Sequence, residues 1–337
     1  MISFIKLTRP INLVIIAGTM FLMRYGVIEG NLKRGQQDLI AQLEIDPSLA
    51  YIEEIGAQVP LHLFILLVIG TILIAAAGNI INDYFDIRID RINKPDEVIV
   101  GRSVKRRVAM TAHLVMSSTG FLLFAFVAWR TNMLWSLLIP LFAIASLWLY
   151  STDLKKRLLA GNIIIALLTA LVPLTVGLYE IPLLERVHAH RQVVQLIDGQ
   201  GFSPTFEVLW YWILGYSVFA FASTLVRELQ KDMADVKGDL AGGCRTVPIV
   251  WGMPWARALS MFHLAMLILS LVALRMVFPG DNITYWYIGI GVILPLLLAA
   301  GFTYQAHYRS EFIRAGQMTK LAMAMAVCYS LLIPYLS

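Results

Sequence analysis

Two stretches of acidic and amide residues have types and spacing that could do chemistry. The first, NIINDYFDIRIDRINK, runs from Asn79 to Lys94 and follows an apolar run that begins at Leu61. On a helix with about 100° per residue, four of its residues fall on one narrow face: Asn79, Asp83, Asp86 and Asp90. Such a cluster is tolerable where water solvates it or where a divalent cation neutralises it, and its oxygens are hard ligands suited to Mg²⁺.

The second stretch repeats this spacing. It lies in RELQKDMADVKGD, follows the apolar run 208–226, and places four acids at the same intervals: Glu228, Asp232, Asp235 and Asp239. One acidic helix end is usually a solvated terminus. Two matched ones indicate a functional site, because charged groups near a membrane are costly to keep there.

The composition places these stretches in a membrane protein. Of the 337 residues, 58% are hydrophobic and only 15% are charged, which is too apolar for a soluble domain of this size. We predict an all-α, polytopic membrane protein, folded as a single domain over residues 1–337, with polar far-side segments at about 30–60 and 180–205. Nine spans are predicted: 11–29, 61–82, 108–128, 133–150, 158–179, 206–227, 256–278, 284–303 and 319–336.

The basic residues predict the orientation of these spans. With alternating loops, one side holds 20 of the 27 Lys and Arg residues and the other holds 7, whereas Asp and Glu divide 11 to 11. The positive-inside rule makes the side rich in Lys and Arg cytoplasmic, and both acidic stretches lie there. The net charge of +5 is thus a topology signal, and no nucleic-acid partner is expected.

Basic side chains follow or interrupt both acidic stretches, among them Lys94, Arg102 and Lys231, and Lys155 lies at another helix end on the same side. They have two interpretations: they anchor the cytoplasmic surface, or they bind phosphate oxygens that a metal also bridges. A site of paired acids, Mg²⁺ and lysines suits a diphosphate. Its location in a membrane suggests that the rest of the ligand is a lipid.

The two stretches resemble the motifs of a known family. NDYFDIRIDRINKP is similar to the NDxxDxxxD signature of the UbiA-type superfamily of intramembrane prenyltransferases, and KDMADVKGD is similar to its second acidic motif. The fragments TRPIN, LYSTDLKKR and CRTVPIVWG also match, so the resemblance covers the whole chain. It implies a helical bundle around a central cavity, with a cytoplasmic-side site that transfers an isoprenoid chain from its diphosphate to an acceptor.

The resemblance also implies roles for individual residues. One Mg²⁺ would be held by Asn79, Asp83, Asp86 and Asp90, and the other by Asp232, Asp235 and Asp239. The six aspartates of these sets are the expected catalytic residues. The expected contacts of the substrate diphosphate are Asn79, Asn82, Lys94, Arg102, Tyr150, Lys155, Arg227 and Lys231.

The acceptor is predicted from the second motif. RELQKDMADVKGD most resembles the branch of the family that makes archaeal-type ether lipids, which predicts a lipid acceptor such as geranylgeranylglyceryl phosphate. An aromatic acceptor of quinone biosynthesis, such as 4-hydroxybenzoate, is the alternative, and a membrane transporter is a remote one. Transporter acids usually lie near the midplane on broken helices, whereas these lie at helix ends. One departure from the family is that Asp96 and Glu97 follow NKP where many members have an Arg, and Arg102 could substitute for it.

Overall fold

The computed structural model describes residues 2–42, 50–52, 55–188, 194–196, 201–202, 206–277 and 281–335. This part of the chain is almost entirely helical, as predicted. Its α-helices are α1 (Ile2–Leu7), α2 (Pro10–Leu22), α3 (Gly30–Gln42), α4 (Leu61–Phe85), α5 (Ile87–Asn93), α6 (Arg106–Arg130), α7 (Leu138–Thr152), α8 (Ala160–His188), α9 (Glu207–Ala241), α10 (Val247–Val250), α11 (Met253–Val277), α12 (Asn282–Trp286), α13 (Leu294–Gln305) and α14 (Arg309–Cys328). Segments of π-helix at Met23–Glu29 and Tyr287–Ile293 connect α2 to α3 and α12 to α13.

Nine helical segments of the described residues are long and apolar enough to cross a membrane. They are Pro10–Asp38, Leu61–Phe85, Arg106–Arg130, Leu134–Thr152, Ala160–His188, Glu207–Ala241, Met253–Met276, Asn282–Gln305 and Arg309–Tyr335. The nine predicted spans are therefore confirmed. Several helices extend beyond the predicted limits, most of all the sixth and the last, because helical hydrogen bonds continue past the point where the sequence becomes polar.

The outer surface of the bundle is apolar. Leu122, Trp129 and Leu269 are 65%, 66% and 60% exposed. A water-soluble protein rarely exposes so many large apolar side chains on long helices, whereas lipid covers them at no cost. The chain is an integral, multi-pass membrane protein.

The two helices that carry the acidic stretches are packed on several sides. Helix α4 lies against α6 and α7, and α9 lies against α8, α11 and α14. The α4–α6 contact depends on small residues: a Cβ atom on Gly120 would lie 2.9 Å from the carbonyl oxygen of Gly70. Such close backbone approach is typical of helix pairs in membranes.

A small sheet joins the two far-side segments, and the sequence did not predict it. Strands β1 (Ala50–Ile52), β2 (Val194–Leu196) and β3 (Gly201–Phe202) pair antiparallel in the order β1-β2-β3, with Tyr51 opposite Gln195 and Val194 opposite Phe202. Helix α3 and the end of α8 account for further parts of these segments. The remaining parts, 43–49, 53–54, 189–193, 197–200 and 203–205, lie outside the described residues.

A buried ion pair fastens the first far-side segment to the bundle. Arg24 Nη1 lies 2.9 Å from Glu180 Oε1, and the two side chains are 5% and 0% exposed. The main-chain nitrogens of Gln58 and Val59 donate to Glu180 Oε2, and Arg24 Nη2 donates to the carbonyl oxygen of Val59. The ion pair thus provides hydrogen-bond partners for main-chain groups of Gln58 and Val59, just before α4 begins.

Candidate active site

The first acidic stretch is divided between two helices. The prediction of one continuous helix is wrong here, because α4 ends at Phe85, Asp86 has φ −87° and ψ 3°, and α5 begins at Ile87. Helical hydrogen bonds still cross this break, from Asp86 N to Asn82 O and from Asp90 N to Asp86 O. The Asp86 carboxylate contacts Lys155, which follows α7 in the chain. A tertiary contact of this kind leaves no trace in the periodicity of the sequence.

The second acidic stretch lies on one continuous helix, as predicted. Helix α9 runs from Glu207 to Ala241 and carries all four acids. Its first acid, however, is not equivalent to Asn79. Glu228 is buried and paired with Arg227 at 2.7 Å and with Lys231 at 3.5 Å, whereas Asn79 Nδ2 donates to the carbonyl oxygen of Thr8.

Asn93 connects the two stretches. Its Nδ2 donates to the carbonyl oxygen of Asp235 at 3.1 Å, and its Oδ1 accepts from the main-chain nitrogen of Gly238 at 2.9 Å. A Cβ atom on Gly238 would clash with this amide, and one on Gly242 would lie 2.6 Å from the side chain of Ile89. Glycine at these two positions lets α5 lie directly against the end of α9.

Each of the three aspartates of the first stretch contacts a cationic side chain. Arg9 Nη2 lies 2.6 Å from Asp83 Oδ1, Lys155 Nζ contacts Asp86, and Lys94 Nζ lies 3.5 Å from Asp90. Arg9 itself has φ 55°, a left-handed conformation that is uncommon outside glycine. Strained backbone of this kind is concentrated at functional sites, so Arg9 is a candidate site residue.

The second stretch takes its partners from helices distant in sequence. Asn162 on α8 donates to Asp232 Oδ2 at 2.8 Å, and Arg309 at the start of α14 lies 3.3 Å from Asp235 Oδ1. Asp239 experiences the charge of Asp86 from the first stretch. The acids of the two stretches therefore belong to one electrostatic cluster.

Burial and neighbouring charges act on the groups of this cluster that lie outside the spans. Burial raises the pKa of Asp90 to about 6; Lys94 opposes this rise and the charges of Asp86 and Asp83 add to it. Burial alone would lower the pKa of Arg9, but the adjacent Asp83 carboxylate raises it overall. Arg9 thus remains a cation beside the cluster.

The donor set suits a hard cation, although the acids are arranged as ion pairs. Within the described part of the chain, no group of three His, Cys, Asp or Glu side chains is close enough to hold a metal ion. Asn82 Oδ1, between Asn79 and Asp83 in the sequence, is buried without a hydrogen-bond partner among the described residues. Carboxylate and amide oxygens of this kind are the ligands that Mg²⁺ prefers, and a buried amide oxygen needs a donor or a cation. The Mg²⁺ ligands remain a prediction.

A polar cavity of about 660 Å³ opens beside the first stretch. Asp83 and Asp90 line it together with Arg9, Lys94 and Arg102. Arg102 thus faces the acids from the loop that follows NKP, which is consistent with its expected substitution for the missing arginine. The cavity is large enough for a charged headgroup.

An apolar cavity of about 290 Å³ lies within the bundle. Most of its lining is aliphatic, with Phe124, Tyr216 and Phe219 as aromatic members. Asn79 and Arg227, which belong to the two motif regions, also line it. An apolar chain bound here would have its polar end near the acidic cluster.

The expected diphosphate contacts all lie at or beside this cluster. Lys94 and Arg102 line the polar cavity, Asn79 and Arg227 line the apolar one, and Lys155 and Lys231 are paired with acids. The hydroxyl of Tyr150 interacts electrostatically with Lys231 and Asp86. Gly161 lets Tyr150 and Lys155 approach α8, since a Cβ atom there would lie 2.9 Å from Lys155 Cα and 3.2 Å from the Tyr150 ring.

Four residues that contact the cluster were not predicted from the sequence: Arg9, Asn93, Asn162 and Arg309. Arg9 and Asn93 were predictable in principle, because they lie in the fragments TRPIN and RINKP, which match the family. Asn162 and Arg309 have no comparable local pattern, because they are placed by helix packing.

Comparison with known proteins supports the same family. The model of the UbiA prenyltransferase family matches residues 49–332. The chain is similar to digeranylgeranylglyceryl phosphate synthase from Thermococcus kodakarensis, with 27% identity over 81% of this chain and 86% of the relative. It is also similar to the enzyme of the same name from Sulfurisphaera tokodaii, with 31% identity over 71% of this chain and 76% of the relative.

Solved structures share the fold. One described as giving insights into digeranylgeranylglyceryl phosphate synthase in membranes has a TM-score of 0.60 and 20% identity, over 98% of this chain and 97% of that one. A UbiA homologue from Archaeoglobus fulgidus bound to GPP and Mg²⁺ has a TM-score of 0.56 and 13% identity, over 98% of this chain and 99% of that one. By the family match across most of its length, this chain belongs to the UbiA prenyltransferase family.

Proposed function

We propose that this protein is a Mg²⁺-dependent membrane prenyltransferase that moves an isoprenoid chain from its diphosphate to geranylgeranylglyceryl phosphate. The observation that carries the proposal is the junction of the two acidic stretches. Asn93 joins the ends of α5 and α9, and residues of both motif regions line an apolar cavity. This arrangement can hold a charged diphosphate and an apolar chain at once.

The identity of both substrates is inferred from relatives. The relatives named digeranylgeranylglyceryl phosphate synthase support a prenylglyceryl phosphate acceptor, and the homologue bound to GPP and Mg²⁺ supports a prenyl diphosphate donor. The division of Lys and Arg residues, 20 to 7, supports a cytoplasmic position of the site. Membrane lipids surround the bundle.

Two sets of residues would hold Mg²⁺: Asn79, Asp83, Asp86 and Asp90 in the first stretch, and Asp232, Asp235 and Asp239 in the second. Bound Mg²⁺ would neutralise the negative charge that develops on the leaving diphosphate. Lys94, Lys155 and Arg9 can contact the phosphate oxygens once their own carboxylate partners are engaged elsewhere.

The reaction breaks one carbon–oxygen bond and forms another. The allylic C1–O bond of the donor breaks, and its electron pair leaves with the diphosphate. The free hydroxyl oxygen of the acceptor then bonds to C1 to form an ether, and its proton passes to a carboxylate of the acidic cluster that acts as the general base. The apolar cavity contributes by keeping water from the allylic carbon, because water would capture it instead of the acceptor.

The test is transfer by purified protein in detergent. Radiolabelled geranylgeranyl diphosphate and Mg²⁺ are supplied with geranylgeranylglyceryl phosphate or, separately, with 4-hydroxybenzoate. Asp86→Asn and Asp239→Asn are compared with the parent and with Asp153→Asn, a matched control whose partner is the exposed Arg157. We expect an ether product that EDTA and both site variants abolish and that the control retains.

Two outcomes would require another function. Product with 4-hydroxybenzoate alone would move the protein to the aromatic-acceptor branch of the family. Absence of product with either acceptor, together with movement of the labelled diphosphate across vesicles that contain the protein, would favour a transporter.

A further inference from the structure

The lining of the apolar cavity includes two polar side chains that the donor site does not use. Besides threonine and tyrosine hydroxyls, two amide and two cationic side chains line the cavity from four different helices: Asn12 on α2, Asn79 on α4, Arg227 on α9 and Lys320 on α14. Asn79 belongs to the first motif, and Arg227 precedes the second. Asn12 and Lys320 belong to neither.

Lys320 differs in its partner from the cationic side chains around the acidic cluster. Arg9, Lys94, Lys155, Lys231 and Arg309 each contact a carboxylate. Lys320 Nζ instead donates to the neutral Oδ1 of Asn12 at 2.8 Å, and no carboxylate of the described residues lies within ion-pair distance of it. An ammonium group in a membrane bundle without an acidic partner is costly, which makes Lys320 a candidate functional residue.

Arg227 packs against α14 one turn before Lys320, and both residues line the apolar cavity. Gly316, one turn before Lys320 on α14, would bring a Cβ atom to 3.9 Å from the side chain of Arg227. Arg227 Nη2 is bonded to Glu228, but its Nε is buried without a hydrogen-bond partner among the described residues. The two cations and the amide of Asn12 therefore bring unused donor capacity to the lining of an apolar cavity.

We propose that Lys320, Arg227 and Asn12 bind the phosphate monoester of the acceptor lipid, which reassigns Arg227 from the donor diphosphate to the acceptor, while the acidic cluster and its other cationic side chains bind the donor diphosphate. The inference rests on the proposed function and assigns its acceptor subsite. A second phosphate needs cations of its own, because those of the cluster are already shared between the acids and the diphosphate.

Steady-state kinetics test this assignment. In Lys320→Met we expect the KM for geranylgeranylglyceryl phosphate to rise about tenfold to a hundredfold, as for loss of a hydrogen bond between charged groups. The KM for geranylgeranyl diphosphate should stay within about twofold of the parent value. Lys320→Arg should restore most of the acceptor affinity, and Lys105→Met, an exposed lysine that lines neither cavity, is the matched control.

A second variant tests the charge without removing the lysine. Asn12→Asp places a carboxylate beside the ammonium group and should raise the acceptor KM as Lys320→Met does. With geranylgeranylglycerol, which lacks the phosphate, Lys320→Met and the parent should perform equally. An unchanged acceptor KM in an active Lys320→Met enzyme, or a raised KM for the donor alone, would overturn the assignment.

Direct binding separates this inference from the proposed function. Geranylgeranylglyceryl phosphate should raise the melting temperature of the parent and of Lys105→Met but not that of Lys320→Met. If the parent makes no product yet shows this pattern, the subsite stands and the proposed reaction fails. If the parent makes product and the lipid stabilises Lys320→Met equally, the reaction stands and the subsite fails.

Discussion

The side-chain amide of Asn93 makes two hydrogen bonds to the main chain of α9, at positions one turn apart. Gly238 allows this close approach because it has no side chain. Asn93 accepts from Gly238 N and donates to Asp235 O. Because α5 carries the last acid of the first stretch and α9 carries the whole second stretch, this contact determines how far apart the two stretches lie.

Gly238→Ala should therefore separate the stretches. The added methyl group would clash with the Asn93 amide, and we expect transfer activity to fall at least about tenfold. Activity in detergent extracts, normalised to folded protein, provides the measurement. Gly215→Ala is the control, because it lies on the same helix with nothing within 4 Å of the new methyl group.

A double-variant cycle checks the cause of this loss. If the clash is responsible, Gly238→Ala should cost less activity in the Asn93→Ala background than in the parent. Equal losses in both backgrounds would mean that Gly238 acts in some other way.

Lys155→Met should impair the site far more than the same change at its neighbour. Lys155 contacts Asp86 and is 10% exposed, whereas Lys156 is on the surface. Loss of a charge aimed at the leaving group costs on the order of a hundredfold in kcat. The measurement is the single-turnover rate of Lys155→Met compared with that of Lys156→Met. Similar rates for the two variants would mean that Lys155 does not contribute to the reaction.

Asn162→Ala should raise the Mg²⁺ concentration needed for half-maximal activity. Asn162 donates to Asp232 and fixes the orientation of a predicted metal ligand. Loss of such a supporting contact typically reduces metal affinity about tenfold to a hundredfold. In the Asp232→Asn background the same change should have no further effect on the Mg²⁺ dependence. A further shift there would show that Asn162 does not act through Asp232.

Glu180→Ala should affect stability and leave the chemistry intact. The change leaves Arg24 buried without its counter-charge, which in buried pairs costs about 3–5 kcal/mol. We expect a lower melting temperature in detergent with kcat close to that of the parent at low temperature. Glu185→Gln, on the exposed face of the same helix, should change neither quantity. A large loss of kcat in folded Glu180→Ala would imply that the far side takes part in catalysis.

The sequence predicted those features that depend on local composition. The spans follow from long apolar runs, and the second acidic stretch follows from a spacing that one continuous helix realises. The break at Asp86 was not predictable, because Lys155 contacts that residue from a position 69 residues away. Asn162 is 70 residues from Asp232 in the sequence, and Arg309 is 74 residues from Asp235. Contacts between residues so far apart in sequence depend on how the helices pack, which local patterns do not show.

The role of Gly238 was likewise not predictable from the sequence. In the sequence it is one glycine near the end of an acidic stretch, and no local pattern predicts its contact. In the structure it lies inside α9, which continues to Ala241, and its function is to receive Asn93.

We propose that both acidic stretches form one site for Mg²⁺ and a prenyl diphosphate. The most direct test is equilibrium binding of radiolabelled geranylgeranyl diphosphate to purified Asp83→Ala, Asp235→Ala and the double variant, with and without EDTA. We predict that each single variant and EDTA weaken binding at least about tenfold and that the double variant is little worse than the weaker single one, since residues of one unit are not additive. Binding that is insensitive to EDTA, or that depends on Asp83 but not on Asp235, would contradict the claim.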